Sequence, residues 1–497
     1  MHTLNSIKLT DLSTILYYTG QICLILGIFM LIPIIVAIIY QEYNLGWSFL
    51  LSSIISLFAG FLLIKIFKKQ EISLKTAMIF STLIWIIASF LGGLPYFISG
   101  ELSFINAFFE AISGFTTTGF SMLPNIETVG YSINFWRGLT QWMGGLGIIF
   151  IMIIVLRSSG TSIMRLYNAE GRDEKIVPSI RNTSKIILYI YLVLTMIGVI
   201  LFLLSGLPLF DSIFYTFVSL STGGFAITTD SILHYNSPFV EFVAMIVMIS
   251  GSINFALLFL LYKKKFREFF SDIEIKVAIV LIPLAIIVTS ALLIYSHTYV
   301  SNFENIRFAT FQVVSAITTT GLQTAFYPEI LNNWNSATFL ILIVLMIIGA
   351  GSCSTGGGIK WLRVGLLSKA TIWQIKSILL PGRAVIPKKI AHFNRLKVTD
   401  NLIRIAGLFV ILYLLIYIIS VIIISVYYNN IPQVLFEVAS AISNVGLTSG
   451  ILTPNSPDFV KIVFMVDFWV GRLEIWPILV VAYMSLSTIK KKLKVKH

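Results

Sequence analysis

The sequence predicts an all-α polytopic membrane protein: two N-terminal helices, then four copies of a helix–short hairpin–helix unit. Three observations carry this prediction. Apolar runs of bilayer length recur along the chain, charge is scarce, and four self-similar polar hairpins lie between the runs. Of the 497 residues, 57% are hydrophobic and only 11% charged, against roughly 25% charged in a soluble domain. Lipid is therefore the expected solvent.

Crossing a bilayer takes about 20 residues of helix. Ten apolar runs are read as spans, the clearest being Thr14–Tyr40, Trp47–Ile64, Thr76–Leu91, Phe135–Leu156, Ile186–Leu204, Phe239–Leu261, Val277–Ile294, Ala337–Ile348, Leu402–Tyr427 and Phe459–Leu486. The first is too long for a cleaved signal peptide, and a second span follows at once. Cys23 and Cys353 lie far apart inside apolar segments, offering neither a disulfide framework nor metal-ligand spacing.

The net charge of +13 raises nucleic acid as a partner, but the distribution of the charge argues against it. Basic residues gather at Lys65–Lys75, Arg157–Lys185, Lys263–Lys276, Lys360–Lys397 and Lys490–Lys496, which hold 29 of the 35. Ten spans alternating from a cytoplasmic N-terminus put all five clusters on the cytoplasmic side. That is the positive-inside pattern, with both termini cytoplasmic, membrane lipid as the partner and no nucleic acid.

Each hairpin joins a short apolar stretch to a Ser/Thr/Gly run. The four runs are Thr116-Thr117-Thr118-Gly119, Ser221-Thr222-Gly223-Gly224, Thr318-Thr319-Thr320-Gly321 and Ser443-Asn444-Val445-Gly446. Aligned without gaps, they share a first hydroxyl residue and a final glycine, and the residue after the glycine is apolar (Phe120, Phe225, Leu322, Leu447). Self-similarity of this kind defines the repeat. The expected segments are 1–70 (two N-terminal helices), 71–172, 173–268, 269–396 and 397–497 (the four repeats).

Irregular backbone at membrane depth survives only when buried in protein or lining a watery cavity. Four such loops converging on a pseudo-fourfold axis form a pore, and Thr/Gly loops present carbonyl oxygens that replace the hydration shell of a monovalent cation. A single such run is weak, because small residues are common wherever helices pack closely; four aligned runs in the same hairpin context are specific.

A break in the third repeat points to a gate. Gly349-Ala-Gly351-Ser352-Cys-Ser354-Thr355-Gly356-Gly357-Gly358 interrupts a hydrophobic stretch with five glycines in ten residues. Each glycine costs a helix about 1 kcal/mol relative to alanine, so a loop is expected. The run lacks the Gly-Lys-Ser/Thr ending of a phosphate loop. Arg472, well inside the last span, is the other gate candidate, because intramembrane charge is costly and marks function. Glu474 is a poor partner for it at i, i+2. Acidic Glu127, Asp230, Glu329 and Asp458 follow the loops, and Glu110 and Glu437 precede the filter glycine by nine residues. Taken singly, each reads as a solvated loop residue or helix-end partner.

These hairpins, the Gly349–Lys360 run and Gly471-Arg472-Leu-Glu474 resemble the superfamily of K+ transporters that includes TrkH, KtrB and the plant HKT proteins. The resemblance covers nearly the whole chain, and two extra N-terminal spans favour the TrkH type. It implies four M1–P-loop–M2 units around one pore, with potassium as the transported ion at the filter residues. It also implies a homodimer, a bacterial inner-membrane location, and a cytoplasmic TrkA-like ring carrying the regulatory nucleotide. Gly119 implies potassium, since sodium-selective members carry serine there. The family's gating loop falls on Gly349–Gly358, and Arg472 matches its pore-facing arginine. The fourth loop, Ser-Asn-Val-Gly, departs from the hydroxyl-rich pattern and puts strong selectivity in doubt.

Two other function classes compete. A sodium- or proton-coupled symporter of KtrB type would show inverted repeats and buried carboxylates; here the repeats share one topology, and the spans hold almost no Asp or Glu apart from Asp467 and Glu474. An enzyme is not expected, because no His pair, Ser–His–Asp set or carboxylate cluster stands on the helices.

Overall fold

A computed structural model describes residues 9–147, 180–325, 334–381 and 386–484. Outside it lie Glu329, Lys490–Lys496, most of Arg157–Lys185 and the end of the Phe135–Leu156 run. The described chain is helical apart from one two-stranded hairpin.

Six helical spans are long and apolar enough to cross a membrane among the described residues: Asp11–Ile39, Tyr43–Ile66, Leu74–Ile98, Asn182–Leu204, Ile273–Tyr295 and Asp400–Ser425. The first combines α1 (Leu9–Phe29) and α2 (Ile32–Ile39), and α3 is Tyr43–Ile66. The others are or contain the leading helices of the four repeats: α4 (Leu74–Ile98), α7 (Ile180–Leu204), α12 (Ile273–Tyr295) and α16 (Asp400–Ser425). Three start on side-chain caps of the backbone N–H groups that a helix leaves unmet. Ser73 accepts from Thr76 N (3.1 Å), Asp272 from Glu274 N (2.9 Å) and Thr399 from Leu402 N (3.4 Å). Their outer faces leave Phe58, Phe61, Ile287, Ile411 and Ile422 exposed, the surface expected where lipid replaces water.

The remaining four of the ten predicted spans are the second helices of the repeats, and none is a single long helix. The first, α6 (Tyr131–Leu146), ends at Gly147 with φ 92°. In the second repeat, α9 (Pro238–Ser252) and α10 (Phe255–Tyr262) meet at a 105° bend. The third, α14 (Ser336–Ile348), gives way to the loop before α15 (Trp361–Leu379). The fourth, α18 (Asp458–Arg472), is followed by positive φ at Glu474 and Ile475, and helix resumes at 476–484. Gly147, Ile253, Gly349 and Glu474 stand 28, 29, 28 and 28 residues after their filter glycines. Among the described residues, the second helix thus stops at the same register in all four repeats. Among the described breaks, that of the third repeat is the longest, twelve residues between Ile348 and Trp361. The sequence shows it only where glycine accumulates.

Between leading and second helices run α5 (Phe104–Phe115), α8 (Leu209–Leu220), α13 (Asn302–Ile317) and α17 (Ile431–Ile442). At 1.5 Å per residue a twelve-residue helix spans about 18 Å, too short for a hydrocarbon core of about 30 Å. The chain also carries α11 (Phe266–Ser271) and the antiparallel pair β1 (Lys389–His392) and β2 (Asn394–Lys397), with His392 paired with Asn394 across the turn. The chain divides into two compact units, Met1–Thr116 with Ser121–Tyr189 and Trp469–His497, and Thr117–Phe120 with Ile190–Phe468. Gly119, Gly224, Gly321 and Gly446 all fall in the second unit.

Candidate functional site: a ring of four glycine loops

Each short helix ends on the first residue of its predicted filter run. Thr116, Ser221, Thr318 and Ser443 are the C-cap residues, in right-handed conformation. Their hydroxyls are engaged by their surroundings. Thr116 Oγ1 donates to Ile112 O (2.6 Å), Thr318 Oγ1 to Val314 O (2.7 Å), and Ser443 Oγ pairs with Tyr413 Oη (2.8 Å). The next residue is left-handed every time: Thr117 φ 57°, Thr222 φ 52°, Thr319 φ 56°, Asn444 φ 53°. Thr118, Gly223, Thr320 and Val445 return to negative φ, and the glycines are again positive: Gly119 94°, Gly224 76°, Gly321 85°, Gly446 93°. Left-handed backbone costs a non-glycine residue about 1–3 kcal/mol, so its recurrence at one position in four loops marks a shared requirement.

The glycines close a cycle. A methyl group placed on Gly119 would collide with the carbonyl of Gly223, one on Gly224 with that of Thr320, one on Gly321 with that of Val445, and one on Gly446 with that of Thr118. Loop one thus abuts loop two, two abuts three, three abuts four, and four returns to one. Only a residue without Cβ tolerates both the positive φ and the neighbouring carbonyl. The divergent fourth loop fits through its side chain, for Asn444 Nδ2 donates to Thr118 Oγ1 (2.9 Å) and to Phe468 O (2.9 Å).

The glycine-rich run packs directly on these loops. Thr355 Oγ1 donates to Gly251 O (2.9 Å), with Leu220 O (3.1 Å) also within reach, and Thr222 Oγ1 lies 3.1 Å from it. Gly357 N donates to Thr319 Oγ1 (2.8 Å), while Gly356 and Gly357 lie against the backbones of Thr318 and Ser443. Gly349 and Gly358 approach each other so closely that neither admits a Cβ, and both have positive φ. Ser354 Oγ donates to Gly351 O (2.6 Å). Lys360, buried at the end of the loop, donates to Gly356 O. Among the described residues, then, the loop is folded back on itself and held by filter loops two, three and four.

Arg472 belongs to the other unit. Its Nη2 donates to Gly144 O and Gly145 O at the C-terminal end of α6, and its guanidinium stands 5.5 Å from the Trp85 ring. A cation at a helix C-terminus meets both the partial negative charge and the unmatched carbonyls there.

The sequence reading missed the residues behind the loops. Nine positions before each filter glycine stand Glu110, Tyr215, Gln312 and Glu437, and each reaches the segment after its own filter. Glu110 accepts from Met122 N (2.6 Å) and Ser121 Oγ (3.0 Å), and pairs with Arg137 Nε (2.8 Å), both side chains fully buried. Glu437 accepts from Thr448 Oγ1 (2.8 Å) and Ser449 N. Gln312 Nε2 donates to Ala325 O (2.9 Å), and Tyr215 Oη to Ser231 O (3.4 Å). The two glutamates are therefore neither solvated nor helix-end partners. The signal was the common spacing, obscured because four residue types fill it. Glu127, Asp230 and Asp458, by contrast, are exposed.

Six apolar helical spans among the described residues, four short helices that stop inside the bilayer length and four loops closed into a ring define a polytopic membrane transport protein. The family model for the TrkH cation transport proteins matches residues 46–490, and the chain belongs to that family. An uncharacterised cation transporter of Methanocaldococcus jannaschii is 35% identical over 97% of this chain and 98% of its own. The Trk system potassium uptake protein TrkH of Escherichia coli is 29% identical over 91% of this chain and 94% of its own. The crystal structure of the potassium transporter TrkH from Vibrio parahaemolyticus superposes with a TM-score of 0.83. Its identity is 26%, and it covers 95% of this chain and 98% of that one.

Proposed function

We propose that the chain is the pore subunit of a potassium uptake system of the cytoplasmic membrane, with both termini inside. The observation that carries the reading is the closed cycle of Gly119, Gly224, Gly321 and Gly446. Alternating left- and right-handed backbone turns successive carbonyls toward one side, so that the loops present oxygens in stacked rings. Potassium itself comes from the names of the relatives. The filter comprises the four runs from Thr116, Ser221, Thr318 and Ser443 to their glycines. The gate comprises the loop Gly349–Gly358 and Arg472. The repeats divide at 71–172, 173–268, 269–396 and 397–497.

Conduction is channel-like, and the loop's attachment to filter loops two, three and four supports a gate that clears when those contacts break. The protein works as a homodimer on a TrkA-like ring that carries the regulatory nucleotide. The C-terminal half of α15, with Ile372, Ile375 and Ile378 exposed beside Lys369 and Lys376, is the docking face.

The test is rubidium and sodium flux into liposomes holding the pure protein, wild type against Gly119→Ser. Wild type is expected to favour rubidium, and the variant to lose that preference, because its side chain enters the space of the Gly223 carbonyl. Equal permeation of both ions in both proteins overturns potassium selectivity. For the gate, Arg472→Ala is expected to raise partner-independent flux, since the α6 carbonyls lose their cation; single-channel conduction unchanged at every potential removes Arg472 from it.

A further inference from the structure

We propose that Glu274, Asp272 and His392 form a latch that ties the glycine-rich loop to the β1–β2 hairpin, so that the hairpin's position sets that of the loop. The proposal rests on the reading of this loop as a gate, and extends it to how the gate is held.

Glu274 lies in the first turn of α12 with its side chain only 1% exposed. One carboxylate oxygen accepts from Ser352 N (2.8 Å), inside the glycine-rich loop; the other lies 3.4 Å from Asn254 Nδ2, at the break between α9 and α10. Gly351 N donates to Ser252 O (2.9 Å) beside it. One carboxylate therefore joins the interruptions of repeats two and three.

Two residues earlier Asp272 is fully buried. Its donors are Glu274 N (2.9 Å), Phe393 N (3.0 Å) and His392 Nδ1 (3.1 Å). A carboxylate only accepts, so Nδ1 carries the hydrogen. The same Nδ1 stands 4.0 Å from Glu274 Oε1. His392 thus sits between two buried carboxylates, at the tip of the hairpin.

The hairpin is well anchored. Ile390 and Val398 pack with Ile273, Leu366 and Trp373, which join it to α12 and α15; Phe393 packs with Leu257, Phe269 and Ile275. A cavity of about 410 Å3 opens beside the latch, lined by Arg267, Glu268, Ser271, Asp272, His392 and Phe393. A buried carboxylate that loses a donor bears the desolvation cost outright. Withdrawal of the hairpin would therefore strip Asp272 of two donors and destabilise the seat of Glu274, which holds Ser352. Glu274 and His392 are positioning residues in this scheme, since neither touches the transported ion.

Cys353, next to Ser352 and half-buried, reports the loop, and Cys23 is only 2% exposed. The experiment follows maleimide labelling of Cys353 in the full-length Cys23→Ser protein in liposomes, in parallel with partner-free rubidium flux. His392→Leu and Glu274→Gln are each expected to speed labelling by about tenfold, the scale of one lost charge-assisted hydrogen bond. His392→Asn, which keeps an N–H near the Nδ1 position, is expected to restore the wild-type rate; a purely structural role for the ring would not be rescued this way. Labelling unchanged in both His392→Leu and Glu274→Gln overturns the latch. Faster labelling with increased flux supports latch and gate together. Faster labelling with flux unchanged keeps the latch and removes the gate reading.

Discussion

Gly321→Ala is expected to abolish rubidium flux while leaving the protein able to assemble and purify. Two costs coincide at this position. The backbone has φ 85°, where an L-residue bears about 1–3 kcal/mol of strain. The added methyl would also overlap the carbonyl of Val445, and that cannot be relieved by a rotamer change because both atoms belong to backbone. The fourth loop must move, and with it Asn444, which bridges to Thr118. A shift there propagates around the cycle, because loop four abuts loop one. Relative to wild type, flux is expected to fall on the order of a hundredfold or more, as about 3 kcal/mol of distortion implies. Gly407, a glycine of α16 with open space around it, provides the control; Gly407→Ala is expected to conduct normally. Wild-type flux through Gly321→Ala removes the glycine ring from the conduction path.

How much of this was legible in the sequence varies with the physics behind each feature. The leading helices were legible because lipid demands long apolar runs, and α12 and α16 fall where Val277–Ile294 and Leu402–Tyr427 predict them. The four glycine loops were legible through repetition, since four glycines at one register leave a mark that no single loop would. The breaks in the second helices were not. At residues 250–254, Ser-Gly-Ser-Ile-Asn, one glycine and a capping Asn are a weak signal beside the apolar residues on either side; in the structure Asn254 caps α10 through Ala256 N (2.9 Å) at the 105° bend and leans on Glu274. Nor was the contact between His392 and Asp272 legible, because the two lie 120 residues apart. The positions behind the filter fall between these cases. Their spacing is written in the sequence, but their role depends on what each side chain reaches.

Arg137→Leu is expected to be the most damaging single change in the first repeat, costing about 3–5 kcal/mol by leaving a buried carboxylate without its cation. Arg137 and Glu110 are both fully buried, and Arg137 also donates to Asn134 Oδ1 (3.0 Å) and Ser121 Oγ (3.2 Å). The pair holds Ser121 and Met122, the residues that continue from filter loop one. Breaking it is expected to lower the temperature at which the protein loses its monodisperse gel-filtration peak, and to lower the rubidium-to-sodium ratio. Repeat three performs the same bracing without charge. Gln312 stands where Glu110 does, relative to the glycine, and Phe339 stands where Arg137 does. Gln312 still reaches the post-filter segment through Ala325 O (2.9 Å), and Phe339 stacks on Phe436 at 4.8 Å. The double variant Glu110→Gln/Arg137→Phe therefore copies a solution the chain already uses. Replacing a buried ion pair by neutral, well-packed groups is often close to neutral, so the double variant is expected to be more stable than Arg137→Leu despite carrying one more substitution. That non-additivity separates loss of a pair from loss of two independent contacts. A double variant no more stable than Arg137→Leu would show that repeat one needs the charge itself at this position, and not merely an acceptor behind its filter.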